Sequence, residues 1–146
     1  MKVTFKKAIS FLCALSMIFS MIISVQAAGI QIEAGKVSLV QGTGDEIVKI
    51  PLTLSDNTGI AGMTLKVSYT EGLTLTDIAQ GSGLSSLTLT KPGDYSANPF
   101  NLVWDGQDAD NTSGIVATLT FSVPKKDVKT YFINIATAGV FDNDLN

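Results

Sequence analysis

The residues Gly59-Ile60-Ala61-Gly62-Met63-Thr64-Leu65-Lys66-Val67-Ser68-Tyr69 alternate in polarity with a period of two. From Gly62 onward, Met63, Leu65, Val67 and Tyr69 fall on one side and Gly62, Thr64, Lys66 and Ser68 on the other. That is the pattern of a half-buried β-strand. Its continuous apolar side needs a core to lie on, and its small, polar second side is left for water or a partner.

The same pattern extends in both directions. Upstream, Ile30 to Ala34 and Val37 to Val40 read as one strand bent at Gly35. Val48, Ile50, Leu52 and Leu54 then alternate with Ile47, Lys49, Pro51 and Thr53, and Pro51 is expected to point its missing donor away from a ladder. Downstream, Leu73 to Ile78 and Leu84 to Thr90 read as strands around the Gln80-Gly81-Ser82-Gly83 break. Phe100, Leu102 and Trp104 alternate with Asn101, Val103 and Asp105, and a polar loop is expected from Asp105 to Asn111. Ile115, Ala117, Leu119, Phe121 and Val123 face one way, against Val116, Thr118, Thr120 and Ser122. In the last strand, Tyr131 to Thr137, the inward face is open, because Tyr131, Ile133 and Ile135 compete with Phe132. Strands at this spacing, separated by turns and without helical periods, predict an all-β sandwich.

The first 27 residues read differently. Lys2, Lys6 and Lys7 precede an acid-free apolar run from Ala8 to Val25, and Val25-Gln26-Ala27 has the small-x-small form of a signal-peptidase site. A cleaved signal peptide over residues 1–27 is expected, with an uncleaved membrane anchor as the competing reading; the serines at 10, 16, 20 and 24 dilute the run as a span. Cys13 lacks the small residue before it that a lipoprotein signal needs. Of 146 residues, removing 27 leaves 119, one domain with room for a sizeable core. The leader holds three of the ten basic residues and none of the thirteen acidic ones, so seven remain against thirteen, a net charge of −6. The remainder has no arginine, histidine or cysteine, which argues against nucleic acid as a partner and excludes disulfides.

The same absences exclude Ser-His-Asp and Cys-His nucleophiles and the usual zinc ligand sets. A carboxylate-pair glycosidase finds no pair on facing strand interiors. Asp105, Asp108, Asp110 and Asn111 offer hard oxygens for calcium, but without the spacing of a twelve-residue calcium loop, and a solvated acidic turn is the preferred reading. Asp142-Asn143-Asp144 imitates the opening of such a loop but lacks its glycine and terminal glutamate. Trp104 shares its parity with Phe100 and Leu102, which puts it in the core and not on a sugar-binding surface.

Gly59-Ile60-Ala61 leading into a strand that ends at Tyr69, the preceding Gly35-Lys36-Val37 and Val48 to Leu52 segments, Gly114 to Phe121, and Ala138-Gly139-Val140-Phe141-Asp142-Asn143-Asp144-Leu145 together resemble a cohesin domain over about residues 30 to 145. The last segment is similar to the Gly-Gly-Phe-x-Asp-Asn-Asp-Leu run that cohesins carry before their final strand. The resemblance implies a nine-stranded jelly-roll sandwich over residues 28–146, C-terminally incomplete because the last strand is missing. It also implies a non-catalytic module, without a cofactor of its own, that anchors enzymes on a secreted or cell-surface scaffold of the cellulosome kind. The partners implied are dockerin-bearing glycoside hydrolases or other polysaccharide-degrading enzymes, with calcium carried by the dockerin and no stable membrane span after signal cleavage.

In the family, dockerins bind the outer face of the sheet holding strands 8, 3, 6 and 5. Carried over by position, the resemblance implies partner-binding residues Gly62, Thr64 and Lys66 on the third strand and Asn101, Val103, Asp105 and Gly106 on the sixth and its exit. Well-known members have an asparagine and an aspartate where Gly62 and Thr64 stand, so this chain departs from the family's polar anchor. A carbohydrate-binding module on a similar sandwich, or a surface adhesin domain, is the alternative reading of the same pattern.

Overall fold

The computed structural model describes residues 16–18, 30–126 and 130–142, the first of these as backbone. The expected signal segment, residues 1–27, therefore lies outside the described residues except for Ser16–Ile18. The strands are β1 (Ser16–Ile18), β2 (Gln31–Ala34), β3 (Ser38–Val40), β4 (Asp45–Ser55), β5 (Ile60–Tyr69), β6 (Thr74–Gln80), β7 (Thr88–Thr90), β8 (Phe100–Asp110), β9 (Gly114–Pro124) and β10 (Ile133–Phe141). No helix occurs among the described residues. Two four-stranded antiparallel sheets, ordered β10-β5-β8-β7 and β2-β4-β9-β6, form the sandwich, and β1 pairs with β3 alone. The all-β jelly-roll expectation is met, with β2 and β3 as the two halves of one bent first strand.

That bend has a steric cause. Gly35 donates its N–H to the Pro51 carbonyl at 2.8 Å, and a Cβ at Gly35 would lie 2.7 Å from Cδ of the proline ring. The β2 ladder ends one pair earlier, at Ala34 opposite Leu52. Pro51 thus turns its donor-less side toward the point where the first strand leaves the sheet, and only a glycine can follow it so closely.

The core lies between the sheets. Val48, Ile50, Leu52 and Leu54 of β4, Met63, Leu65 and Val67 of β5, Phe100, Leu102 and Trp104 of β8, and Leu119, Phe121 and Val123 of β9 are all buried. At one end the Tyr69 ring sits edge-on to Phe121 of the opposite sheet, with centroids 5.1 Å apart, and near Phe100 at 6.3 Å. In β10 the open question of the inward face is resolved: Tyr131, Ile133 and Ile135 are buried and Phe132 is exposed.

Three local readings are corrected. The segment Asp105 to Asn111 is not a loop, since β8 continues to Asp110, with a register break opposite Ile60 to Gly62. Leu84 to Thr90 is not one strand: Leu84 takes a left-handed φ of 53° in a turn, and only Thr88–Thr90 pairs with β8. Ile115 does not share the core face with Ala117, because the register shifts at Leu52/Thr53, which buries Val116 and leaves Ile115 on the surface.

Candidate functional site

The registers of the β10-β5-β8-β7 sheet fix what its outer face displays. Along β5, Gly62, Thr64 and Lys66 point away from the buried Met63, Leu65 and Val67. Lys66 lies between Ala136 of β10 and Asn101 of β8. Thr64 lies between Gly139 and Val103, with Thr90 of β7 beyond. Gly62 lies between Phe141 and Asp105, with Thr88 beyond. Six of the seven residues assigned from the sequence therefore form one block on two central strands. Lys66, Asn101 and Asp105 are exposed, and Val103 and Thr64 are half-buried among their neighbours. Gly106 stands apart from the block, since a Cβ there would come 2.5 Å from Cδ2 of the buried Leu87.

Phe141, Gly139, Ala136, Thr88 and Thr90 join this face without having been singled out from the sequence. For Phe141 the cause is a bulge between Thr137 and Gly139 that resets the alternation of β10, so Phe141 faces outward and stays 53% exposed. The alternation of β10 up to Thr137 carries no sign of it; the glycine two residues before the phenylalanine was the available signal. Phe132, also exposed, lies just before the same edge strand, opposite Thr70 and eight ladder positions away, about 26 Å at strand spacing.

The face is held from its ends. Asn98 continues the ladder beyond β8: its Nδ2 donates to the Tyr69 carbonyl at 2.7 Å, and the Tyr69 N–H donates to its Oδ1 at 3.0 Å. At the other end Asn57 Nδ2 donates to the carbonyls of Asp110 and Thr112, and its Oδ1 accepts from the Gly59 N–H, tying the entry of β5 to the exit of β8. Next to this, the buried Asp110 carboxylate accepts four hydrogen bonds, from N–H and Oγ of Ser86 and from N–H and Oγ1 of Thr112. Burial pushes its pKa up, but the four donors outweigh that and hold the carboxyl well below the usual carboxylate range. Its oxygens are thus committed to the turn before β7 and to the β8–β9 connection. No group of three or more His, Cys, Asp or Glu is placed to hold a metal among the described residues.

Trp104 is fully buried, as its parity requires, so it offers no platform to a sugar. A cleft of about 300 Å³ lies beyond the sheet face, lined by Tyr69, Leu73, Thr74, Leu75, Tyr95 and Ser96. Among the described residues the ionisable groups of the outer face are Lys66 and Asp105, at opposite ends of the block.

The family model of the cohesin domain matches residues 30–146. This chain belongs to the cohesin family. The comparison with curated proteins finds no match to this cohesin. Among solved structures, it resembles the complex of a type I cohesin, OlpA, with the dockerin Doc918 from Clostridium thermocellum, at 20% identity and a TM-score of 0.60, covering 80% of this chain and 89% of the other. It resembles a non-cellulosomal cohesin from the archaeon Archaeoglobus fulgidus at 16% identity and a TM-score of 0.62, covering 82% of each chain. It also resembles the sixth cohesin of Acetivibrio cellulolyticus scaffoldin B, solved with a Cel5 dockerin, at 18% identity and a TM-score of 0.55, covering 82% of this chain and 90% of the other. At these identities the likeness speaks for the shared fold.

Proposed function

We propose that this cohesin is a non-catalytic receptor that binds dockerin modules through the outer face of the β10-β5-β8-β7 sheet, and that Gly62, Thr64, Lys66, Asn101, Val103 and Asp105 lie in the contact, with Gly106 at its margin. The observation that carries the reading is the ladder-built block itself: small residues at its centre, one cation and one anion at opposite ends, and apolar Val103 between Thr64 and Thr90. A surface of that kind admits a helix lying on it, and Lys66 and Asp105 fix its direction through opposite charges. The dockerin-bound relatives support the choice of partner. The partner enzymes are polysaccharide-degrading enzymes, and the calcium in the assembly belongs to the dockerin. Residues 1–27 act as a secretion signal, which places the domain outside the cell on a scaffold.

The test is a pull-down from the culture supernatant of the source organism with the mature domain as bait, with and without a calcium chelator. Capture of dockerin-bearing enzymes with calcium, and their loss without it, is the expected result. Retention on cellulose or xylan with no protein captured would replace this reading by the carbohydrate-binding one.

A further inference from the structure

We infer that Phe141 is the apolar anchor of the docking face and sets which dockerins this cohesin accepts; the inference rests on the dockerin-binding reading above. Its ring is seated on two glycines of adjacent strands. A Cβ at Gly62 would lie 3.5 Å from Phe141 Cδ2, and a Cβ at Gly139 would lie 3.2 and 3.3 Å from Cε2 and Cζ. The ring therefore lies across β5 and β10 where neither strand has a side chain of its own, one side on backbone and the other open, which accounts for its half exposure. Any residue larger than glycine at 139 crowds it.

An aromatic ring held this way is set before the partner arrives, so little side-chain freedom is lost on binding. It is also the residue class that dominates protein interfaces when its open side is covered. Val103, the other apolar residue of the block, lies two strands across and two ladder positions along, about 12 Å at strand and residue spacing. Seven residues of α-helix rise by about 10.5 Å, close enough to that span for two side chains to lean onto both positions. The partner that fits is a dockerin helix crossing β10, β5 and β8, with apolar side chains seven residues apart on Phe141 and Val103 and a small or apolar residue between them over Gly62 and Thr64. Lys66 and Asp105 flank that line and favour an acidic group on one side of the helix stripe and a basic group on the other.

Covering the open half of the ring removes roughly 100 Å² of apolar surface, which at about 20 cal/mol per Å², the low end of the transfer range, corresponds to about a thirtyfold change in Kd. Calorimetry of the mature domain against a panel of recombinant calcium-loaded dockerins, those encoded in the source genome together with Doc918 of the Clostridium thermocellum complex, reads this directly. Phe141→Ser is expected to weaken the tightest pair about thirtyfold and Phe141→Leu less than fivefold. Gly62→Asn, which places a polar side chain against the ring, is expected to weaken it as well. Ile47→Ser on the opposite sheet is expected to change nothing, and thermal melts confirm that each variant is folded. If the parent binds a dockerin and folded Phe141→Ser binds it within threefold, the anchor assignment is wrong and the docking face stands. If the parent binds no dockerin of the panel while a dockerin-bound relative binds its own, the dockerin reading fails and this inference with it.

Discussion

Replacing Asp110 tests whether the clamp beside the docking face works as a charge-assisted hydrogen-bond node. Its carboxylate accepts the N–H groups of Ser86 and Thr112 at 2.8 and 2.7 Å, and their hydroxyls as well. In Asp110→Ala the two hydroxyls can turn to water, but the two backbone N–H groups lose their acceptor in a partly buried site, at about 1 to 3 kcal/mol each. A loss of about 3 kcal/mol follows, or about 12 °C in Tm for a domain of this size. Asp110→Asn keeps one acceptor oxygen and is expected to lose about half as much. The pH dependence adds an independent check. The folded pKa of Asp110 is depressed, so its contribution is fully present above the unfolded value of about 3.9 and is lost as pH falls from there toward the folded value. Urea titrations of the parent and Asp110→Asn are therefore expected to show a stability gap that is constant near neutrality and narrows below about pH 4. A Tm for Asp110→Asn within about 2 °C of the parent, or a gap that does not narrow in acid, would refute the reasoning.

Val103→Asp places a charge at the centre of the docking block and is expected to abolish dockerin binding in calorimetry while the melt stays close to the parent's; unchanged affinity would reject that face. Gly35→Val drives a side chain into the Pro51 ring, where a Cβ alone already comes within 2.7 Å, and should destabilise by about 1 to 3 kcal/mol in urea titration. Part of that loss should return in the Gly35→Val, Pro51→Ala double variant. Trp104→Phe opens a small cavity but removes a buried indole N–H that has no hydrogen-bond partner, so the opposing effects should leave a net loss below about 1.5 kcal/mol by the same titration. Because the Asp110 oxygens are committed to four donors, a chelator should leave the Tm of the isolated domain unchanged.

The strands that alternate cleanly are legible in the amino-acid sequence alone. Val48 to Leu54, Met63 to Val67 and Phe100 to Trp104 each bury the residues their period selects, because a strand with one wet face allows no other register. The same rule brought Gly62, Thr64, Lys66, Asn101, Val103 and Asp105 onto one face. The misread positions cluster where pairing slips by one residue. At Val116 a bulge inverts the parity and sends Ile115 outward against the local count; between Thr137 and Gly139 a second one turns Phe141 outward, beyond the strand read from the sequence. A bulge is a property of two strands, so one strand's pattern does not reveal it. The extension of β8 through Gly106 to Asp110 was hidden for a related reason: its polar composition suits a loop, and what keeps it extended is the Asp110 cluster and the Asn57 side chain from distant parts of the chain.

The candidate surface is carried by ladder residues and not by loops. Positions that look outward and positions that look inward alternate on the same two strands, so the two sets can change independently. On the proposed docking face, drift at 62, 64, 66, 101, 103 and 105 would change what the surface accepts while 63, 65, 67, 100, 102 and 104 keep the sandwich closed. Relatives that share under a quarter of their residues with this chain yet keep its architecture are what such a division of labour produces, and new pairing preferences can arise in it by single substitutions with no intermediate that fails to fold.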